Sequence, residues 1–320
     1  MSIRILGTGS SAPNKIVTND DLAKIMDTSD EWIKSRTGIS ARHLAVEETS
    51  NDMAAEAGKK ALEQAGIKAE ELDMILVATL SPDQVMPNTA CEVQKRIGAS
   101  KAVCMDLNAA CSGFLFALHT AAAYLASGFS KHILVIGVET LSKIMNWNDR
   151  STCVLFGDGA GAAVVTSDQC GQYEAVVGSD GVKGHVLALE DRKNNNPYVK
   201  HEEEPYYVTM DGQEVFKFAV STVPKAIKEV LEKANVDKEE VDLFLLHQAN
   251  ERILQSVAKR LKVSIDKFPM NLDRYGNTSS ASIAILLDEL HRDGTIKRGD
   301  KLVLCGFGGG LTWGAIYLTW

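Results

Sequence analysis

A stretch of this chain occurs twice, and that repeat constrains its architecture more than any other feature. Ala61 through Asp73 lies without gaps on Val230 through Asp242 at an offset of 169 residues, with Leu62, Glu63, Ala65, Glu70, Glu71 and Asp73 identical in the second copy. Both copies read as an amphipathic helix that ends on a residue tolerant of left-handed backbone, Gly66 or Asn235. An acidic turn and a buried-type strand follow, Met74-Ile75-Leu76-Val77-Ala78 in one and Leu243-Phe244-Leu245-Leu246 in the other. The likeness continues at shifting offsets between Ile133–Gly137 and Lys301–Gly306 and between Gly161–Thr166 and Gly314–Thr319. Helix-turn-strand units of any α/β protein share some of this pattern, but six identities in thirteen positions favour duplication. Short, continuously apolar strands between helices indicate sheets covered on both faces. The expectation is therefore two similar α/β halves, 1–170 and 171–320, with helices buried between their sheets.

At 320 residues, 45% hydrophobic and 24% charged, the chain can bury a large core, and no apolar run approaches the roughly 20 residues that span a bilayer. The N-terminal residues Met1 to Gly7 read as a strand entering a glycine turn rather than a secretory leader, which predicts a cytoplasmic protein with no membrane role. A formal charge of -8 argues against general nucleic-acid binding. The six cysteines form no Cys-x-x-Cys pair and have no zinc-like histidine spacing, so reduced thiols and no metal are expected. The connection from Gly178 to Asp211, with Lys193-Asn194-Asn195-Asn196-Pro197 and the acidic run His201 to Pro205, reads as a solvated surface excursion.

Three residues stand where chemistry is carried. Cys111 follows the strand candidate Val103–Asn108 and opens an alanine-rich helix. Unpaired N–H groups and the helix dipole there favour an anion, so an enriched thiolate is expected. A lone cysteine at such a place is more often a buried packing residue, so Cys111 alone decides little. His247 comes directly after the strand Leu243–Leu246, at the carboxyl end where open α/β sheets build their sites. Asn277 precedes the helix Ile283–His291 and is read as occupying, in its half, the place of Cys111 in the other. A pseudo-two-fold would bring the two helix starts together. The glycines of Cys305 to Gly314 follow a strand; their N–H groups and that of Cys111 are candidates for an oxyanion hole, with a tight turn as the structural alternative. A phosphate-binding loop is disfavoured because no Lys-Ser or Lys-Thr pair follows.

Taken together, Asp30–Ile39, Asn108–Phe114, Phe156–Ala162, His247–Asn250, Asn277–Ser279 and Gly306–Gly314 resemble β-ketoacyl-acyl carrier protein synthase III, the initiating condensing enzyme of type II fatty acid synthesis. The resemblance covers almost the whole chain. It implies a thiolase-like duplicated fold of five layers, α-β-α-β-α, and an acyltransferase that condenses a short acyl-CoA primer with malonyl-ACP, releasing CoA and CO2 to give 3-oxoacyl-ACP. It implies Cys111 as nucleophile, the N–H groups of Cys111 and Gly309 as oxyanion hole, and His247 with Asn277 as donors to the malonyl thioester oxygen. It also implies CoA contacts from Trp32, Arg36, Thr37, Arg150 and Asn250, with Trp32 and Arg150 sandwiching the adenine. Arg252, Lys259 and Arg260 would form a basic patch for acidic ACP, and Met86 would reach the partner subunit's acyl pocket in a homodimer. No cofactor is implied, since the CoA thioester and the ACP phosphopantetheine are substrates. A thiolase running non-decarboxylative condensation is the alternative, suggested by Cys305, but the Cys-x-Gly and Gly-His-Pro patterns expected of it are missing.

Overall fold

The computed structural model describes residues 2–201 and 205–320; Glu202, Glu203 and Glu204 of the acidic run lie outside the described residues. Two mixed sheets organise the chain. The first is built from β1 (Ser2–Ser11), β2 (Met74–Ala78), β3 (Val103–Leu107), β4 (His132–Glu139) and β5 (Gly159–Asp168) in the order β1-β5-β4-β2-β3. The second comprises β6 (Tyr173–Ser179), β7 (Leu243–Leu246), β8 (Lys301–Gly308) and β9 (Thr312–Thr319) in the order β6-β9-β8-β7. Seven helices matter to the site: α1 (Asp30–Thr37), α2 (Ser50–Ala65), α3 (Thr89–Ile97), α4 (Gly113–Ala126), α5 (Gly212–Ala234), α6 (Glu251–Leu261) and α7 (Ser282–Arg292).

Strand register carries the duplication into three dimensions. Met74 pairs with Ile133 in parallel, and Leu243 with Leu302. Gly137 faces Gly161 in the antiparallel pair, and Gly306 faces Gly314. The 169-residue offset thus relates β2 to β7 and β4 to β8. No strand among the described residues of the second sheet corresponds to β3, so β7 is an edge there.

The layers follow from which faces are apolar. Helices α2 and α3 cover the outer face of the first sheet through Met53, Ala57, Ala61 and Val93, while α5 and α6 cover the outer face of the second through Val223, Ile227, Leu254 and Val257. Between the sheets lie α4 and α7, whose Phe114, Leu118, Ile283 and Leu287 share one core with inward residues of both. A helix packed on two sides has no polar stripe, and α4 is correspondingly apolar around most of its circumference. Glycines set the close approach: a Cβ on Gly161 would lie 2.6 Å from the α7 backbone, and one on Gly137 only 2.3 Å from the carbonyl oxygen of Ser280. Gly66 (φ 67°) and Asn235 (φ 53°) terminate α2 and α5 in the left-handed conformation that the repeat predicts.

The Gly178–Asp211 connection departs from expectation. Leu187–Ala188 pairs with Thr209–Met210, and this small ribbon folds inward so that Leu187 and Met210 wall the functional cavity. The apolar Leu187, Val208 and Met210, spaced among breaker residues, have somewhere to be buried only once both halves are assembled.

Candidate active site

The loops before α4 and α7 are built alike. Each begins with an asparagine whose Oδ1 accepts the backbone N–H two residues on: Ala110 N to Asn108 at 3.0 Å, and Ser279 N to Asn277 at 2.8 Å. Each then takes a left-handed residue, Ala110 at φ 45° or Ser279 at φ 47°, followed by a single 3-10 turn running into the helix. A non-glycine residue there stores strain of order 1–3 kcal/mol that the surrounding packing must hold. This pairing corrects the sequence reading. The twin of Asn277 is Asn108, and the twin of Cys111 is Ser280, so the two catalytic candidates occupy positions three residues apart in equivalent loops rather than the same position.

Cys111, His247 and Asn277 nevertheless converge on one cavity of about 570 Å³. Asn277 is clamped there by backbone hydrogen bonds to the Leu155–Gly157 segment, Asn277 N to Leu155 O at 2.8 Å and Gly157 N to Asn277 O at 3.0 Å. Gly157 is required because a Cβ would lie 2.2 Å from the Tyr275 carbonyl oxygen. Buried Arg42 holds the same segment by donating to the Val154 carbonyl at 2.7 Å. With Oδ1 of Asn277 occupied by Ser279 N–H, its amide nitrogen is the group left to offer the cavity.

His247 continues β7, its N–H bonded to the Cys305 carbonyl at 2.8 Å and its ring edge-on to Phe307 at 5.4 Å between centroids. Ser282 Oγ lies 2.7 Å from Nδ1 and also receives the Gln248 N–H at 3.4 Å. A serine hydroxyl has one proton and two lone pairs, so this contact orients the ring; when the hydroxyl donates to Nδ1, Nε2 carries the proton. Burial pushes the imidazole down to about 3, so it is a neutral donor throughout the physiological range. Sequence reasoning missed Ser282; its one signal is its place as the twin of Gly113.

Cys111 is buried, and burial pushes its thiol up to about 12. The enriched thiolate expected from the helix start is not found. Moving the thiol from its ordinary 9.0 to about 12 corresponds to about 4 kcal/mol, more than the roughly 2 kcal/mol that a helix terminus supplies at best. The glycine cluster does approach Cys111: a Cβ at Gly308 would lie 2.7 Å from the Cys111 amide nitrogen, and Gly309 packs beside Ala110. Cys111 also borders a second cavity of about 770 Å³, walled by Leu107, Ile144, Val208 and Gly309 among others. Cys305 points into the core under α5 and α6 and lines neither cavity.

At the mouth of the first cavity the Trp32 ring carries the Arg36 guanidinium at 4.6 Å and that of Arg150 at 5.2 Å from its centroid. Arg150 is also paired with Asp27. A flat base between Trp32 and Arg150 needs about 7 Å, twice a contact distance of about 3.5 Å, so the guanidinium must move aside to admit one. Thr37 and Asn250 wall the cavity, but their polar groups are largely committed. Thr37 Oγ1 donates to Ile33 O at 2.7 Å and accepts Ile39 N–H. Asn250 caps α6 and donates to Arg36 O at 3.0 Å, which positions α6 against α1. Arg252 borders the cavity together with Lys217 of α5, which carries no sequence signal; Lys259 and Arg260 are exposed further along α6 and do not. Met86 projects into solvent, 87% exposed, away from both cavities of its own chain.

A duplicated five-layer α-β-α-β-α fold with a cysteine between two cavities defines a thiolase-like acyl-transferring protein. Comparison with known proteins narrows this. Residues 105–181 match the sequence profile of 3-oxoacyl-[acyl-carrier-protein] synthase III, and residues 231–320 match the profile of its C-terminal part. The chain is 49% identical over 321 residues to the beta-ketoacyl-[acyl-carrier-protein] synthase III of Clostridium acetobutylicum, and 50% identical to that of Clostridium novyi, covering 100% of this chain and 99% of each relative. The crystal structure of the Aquifex aeolicus 3-oxoacyl-[acyl-carrier-protein] synthase III superposes with a TM-score of 0.93 at 45% identity, each chain covered in full. The chain belongs to the 3-oxoacyl-[acyl-carrier-protein] synthase III family.

Proposed function

We propose that this protein condenses a short acyl-CoA with malonyl-ACP by decarboxylative Claisen chemistry. The observation that carries the reading is the convergence of Cys111, from the first half, with His247 and Asn277, from the second, on one cavity. Cys111 attacks the acyl-CoA carbonyl, and the N–H groups of Cys111 and Gly309 receive the oxyanion. After CoA leaves, the malonyl thioester oxygen accepts hydrogen bonds from His247 Nε2 and the Asn277 amide. Both are neutral donors, which stabilise the enolate formed as CO2 departs without giving up a proton to it. The carbanion then attacks the acyl-cysteine. The position of Cys305 in the core argues against a thiolase, which needs a second cysteine at the substrate.

The substrates set the remaining assignments. Trp32, Arg36 and Arg150 hold the CoA adenine end, with Thr37 and Asn250 shaping the mouth, and Arg252, Lys259 and Arg260 face acidic ACP. No cofactor takes part. No described helix is long and apolar enough to cross a membrane, and CoA and ACP substrates favour a cytoplasmic setting. Homodimerisation is supported by the outer edge of β3, which no strand among the described residues covers, beside exposed Val85, Met86 and Val103; Met86 of one protomer would then reach its partner's acyl pocket. Incubation with radiolabelled acetyl-CoA should place label on Cys111, and malonyl-ACP should then release CO2. Asn277→Ala should keep the label and lose about a hundredfold in CO2 release, the cost of one oxyanion donor. Label elsewhere than Cys111 would end the proposal.

A further inference from the structure

The Asn277 amide can serve as a donor only while its backbone is held still, and one buried side chain packs against both stretches of chain that hold it. Arg42 lies on the short strand Ala41–His43 and has no exposure to solvent. On either side of Arg42 the chain is bonded to the two segments that meet at Asn277: Ser40 N–H donates to Asp273 O at 2.9 Å, and Asp158 N–H donates to His43 O at 2.9 Å. Between those segments Asn277 and Phe156 form a single parallel bridge. The Arg42 stem lies against the bridge: a Cβ on Gly157 would be 3.1 Å from the Arg42 Cβ, and one on Gly276 3.3 Å.

The guanidinium extends this hold. Nη2 donates to Val154 O at 2.7 Å, one residue before the Leu155 carbonyl that receives the Asn277 N–H. Nη1 donates to Asn19 Oδ1 at 2.9 Å and to Val17 O at 3.3 Å. Asn19 in turn donates to Asp30 Oδ1 at 2.9 Å and Ile39 O at 2.7 Å, which fixes it against the start of α1. All three acceptors of the guanidinium are neutral, so its contribution here is shape rather than ion pairing. A rigid planar fork ties Asn19 on one side to Val154 on the other, which a single ammonium nitrogen cannot do with the same geometry. None of these bonds reaches the Cys111 loop or Gly309.

We propose that Arg42 is a positioning residue for the decarboxylation half of the reaction: by fixing Val154 and packing on Gly157 and Gly276, it keeps the Asn277 amide aimed at the malonyl thioester oxygen. Acylation of Cys111 does not depend on it, because the oxyanion donors of that step, the N–H groups of Cys111 and Gly309, lie on other loops. A donor to a developing enolate is effective only at its bonding distance, so a small displacement of the Asn277 backbone forfeits most of its effect. Arg42 touches no reacting atom and acts through Asn277 alone.

This inference rests on the condensation reading above, and single-turnover measurements separate the two. The label gained by Cys111 at saturating acetyl-CoA is followed first, then the CO2 released from malonyl-ACP by the acylated enzyme. Arg42→Met keeps an unbranched side chain and removes the fork; CO2 release should fall about ten- to hundredfold, with acylation within about twofold of wild type. Arg42→Lys keeps the charge on a single nitrogen and should show the same split less deeply. Adding Arg42→Met to Asn277→Ala should cost less than about a further threefold, because a residue that acts through another has little left to lose once that one is gone. Losses that multiply in the double variant overturn the proposal, as do acylation and CO2 release falling together, the mark of a merely structural role. Wild-type CO2 release in Arg42→Met refutes it outright. Should Arg42→Met fail to fold, Arg42→Lys decides, and wild-type CO2 release there is the refuting result. A wild type that takes no label, or releases no CO2 once labelled, overturns the condensation reading instead, and the inference falls with it.

Discussion

Replacing His247 by asparagine should alter how stability depends on pH, by an amount that follows from the burial of the ring. In the folded chain the imidazole is held at about 3; unfolded, it returns to its ordinary 6.5. Above pH 6.5 both states carry it neutral and it contributes no pH dependence. Below that, the unfolded chain takes up a proton that the folded chain refuses, so folding loses about 1.4 kcal/mol for each pH unit until the folded value is reached. At about pH 5 the accumulated loss is about 2 kcal/mol. His119 and His291, which burial also displaces downward, add slopes of the same sign in wild type and variant and cancel in the difference. Equilibrium urea unfolding from about pH 7.5 to about pH 5 would show wild type losing about 2 kcal/mol more than His247→Asn across that range. Parallel curves would mean that the imidazole is charged or solvated in the folded state, and the argument that it acts as a neutral donor would fall with them.

Gly308→Ala should abolish acyl transfer and destabilise the chain by about 1–3 kcal/mol, because the new Cβ would sit 2.7 Å from a backbone nitrogen and 2.9 Å from the Cys111 Cβ. Mass increment on Cys111 and a denaturation midpoint check both, and an active variant of unchanged midpoint contradicts the close approach. Trp32→Ala removes the ring that faces both guanidinium groups and should raise KM for acyl-CoA roughly five- to thirtyfold, about 1–2 kcal/mol, with kcat preserved. Steady-state kinetics that showed a fall in kcat alone would place Trp32 elsewhere in the mechanism.

Much of the fold was legible because duplication leaves two readings of one pattern. Leu62 to Asp73 and Leu231 to Asp242 share a cap, a turn and a strand, and a shared register follows once β2 and β7 are aligned. The position of His247 is legible on the same ground, as the residue after a buried strand. Asn277 is legible as a site residue but misplaced relative to Cys111: matching helix starts by eye ignores the 169-residue offset, which puts Asn108 under Asn277. Properties that depend on assembly were not legible. The Cys111 thiol is made less acidic by what packs around it, and local sequence reports only the helix start that works the other way. Ser282, Lys217 and the Leu187–Met210 wall meet the site through tertiary contacts, and no short motif encodes those.

Two equivalent loops raise the question of why one site exists and not two. Applying the 169-residue offset answers it residue by residue. Opposite Gly308, whose missing side chain leaves the space over Cys111 open, stands Glu139, whose side chain occupies the corresponding space and hydrogen-bonds Ser280 at 2.8 Å. Opposite His247 stands Ala78, whose carbonyl oxygen accepts a bond from the same Ser280 hydroxyl at 3.0 Å. Opposite Cys111 stands that serine itself, its single hydroxyl proton shared between these two acceptors. The second copy of the site is therefore filled. Duplication supplied two helix starts facing one another across a pseudo-two-fold; divergence at Gly308/Glu139, His247/Ala78 and Cys111/Ser280 opened one to substrate and closed the other around a buried carboxyl. The carboxyl that closes it is held by Ser81, Ser280, Leu80 N–H and Thr79, which offset part of the several kcal/mol that burying a carboxylate otherwise costs and which an apolar side chain would leave without a partner.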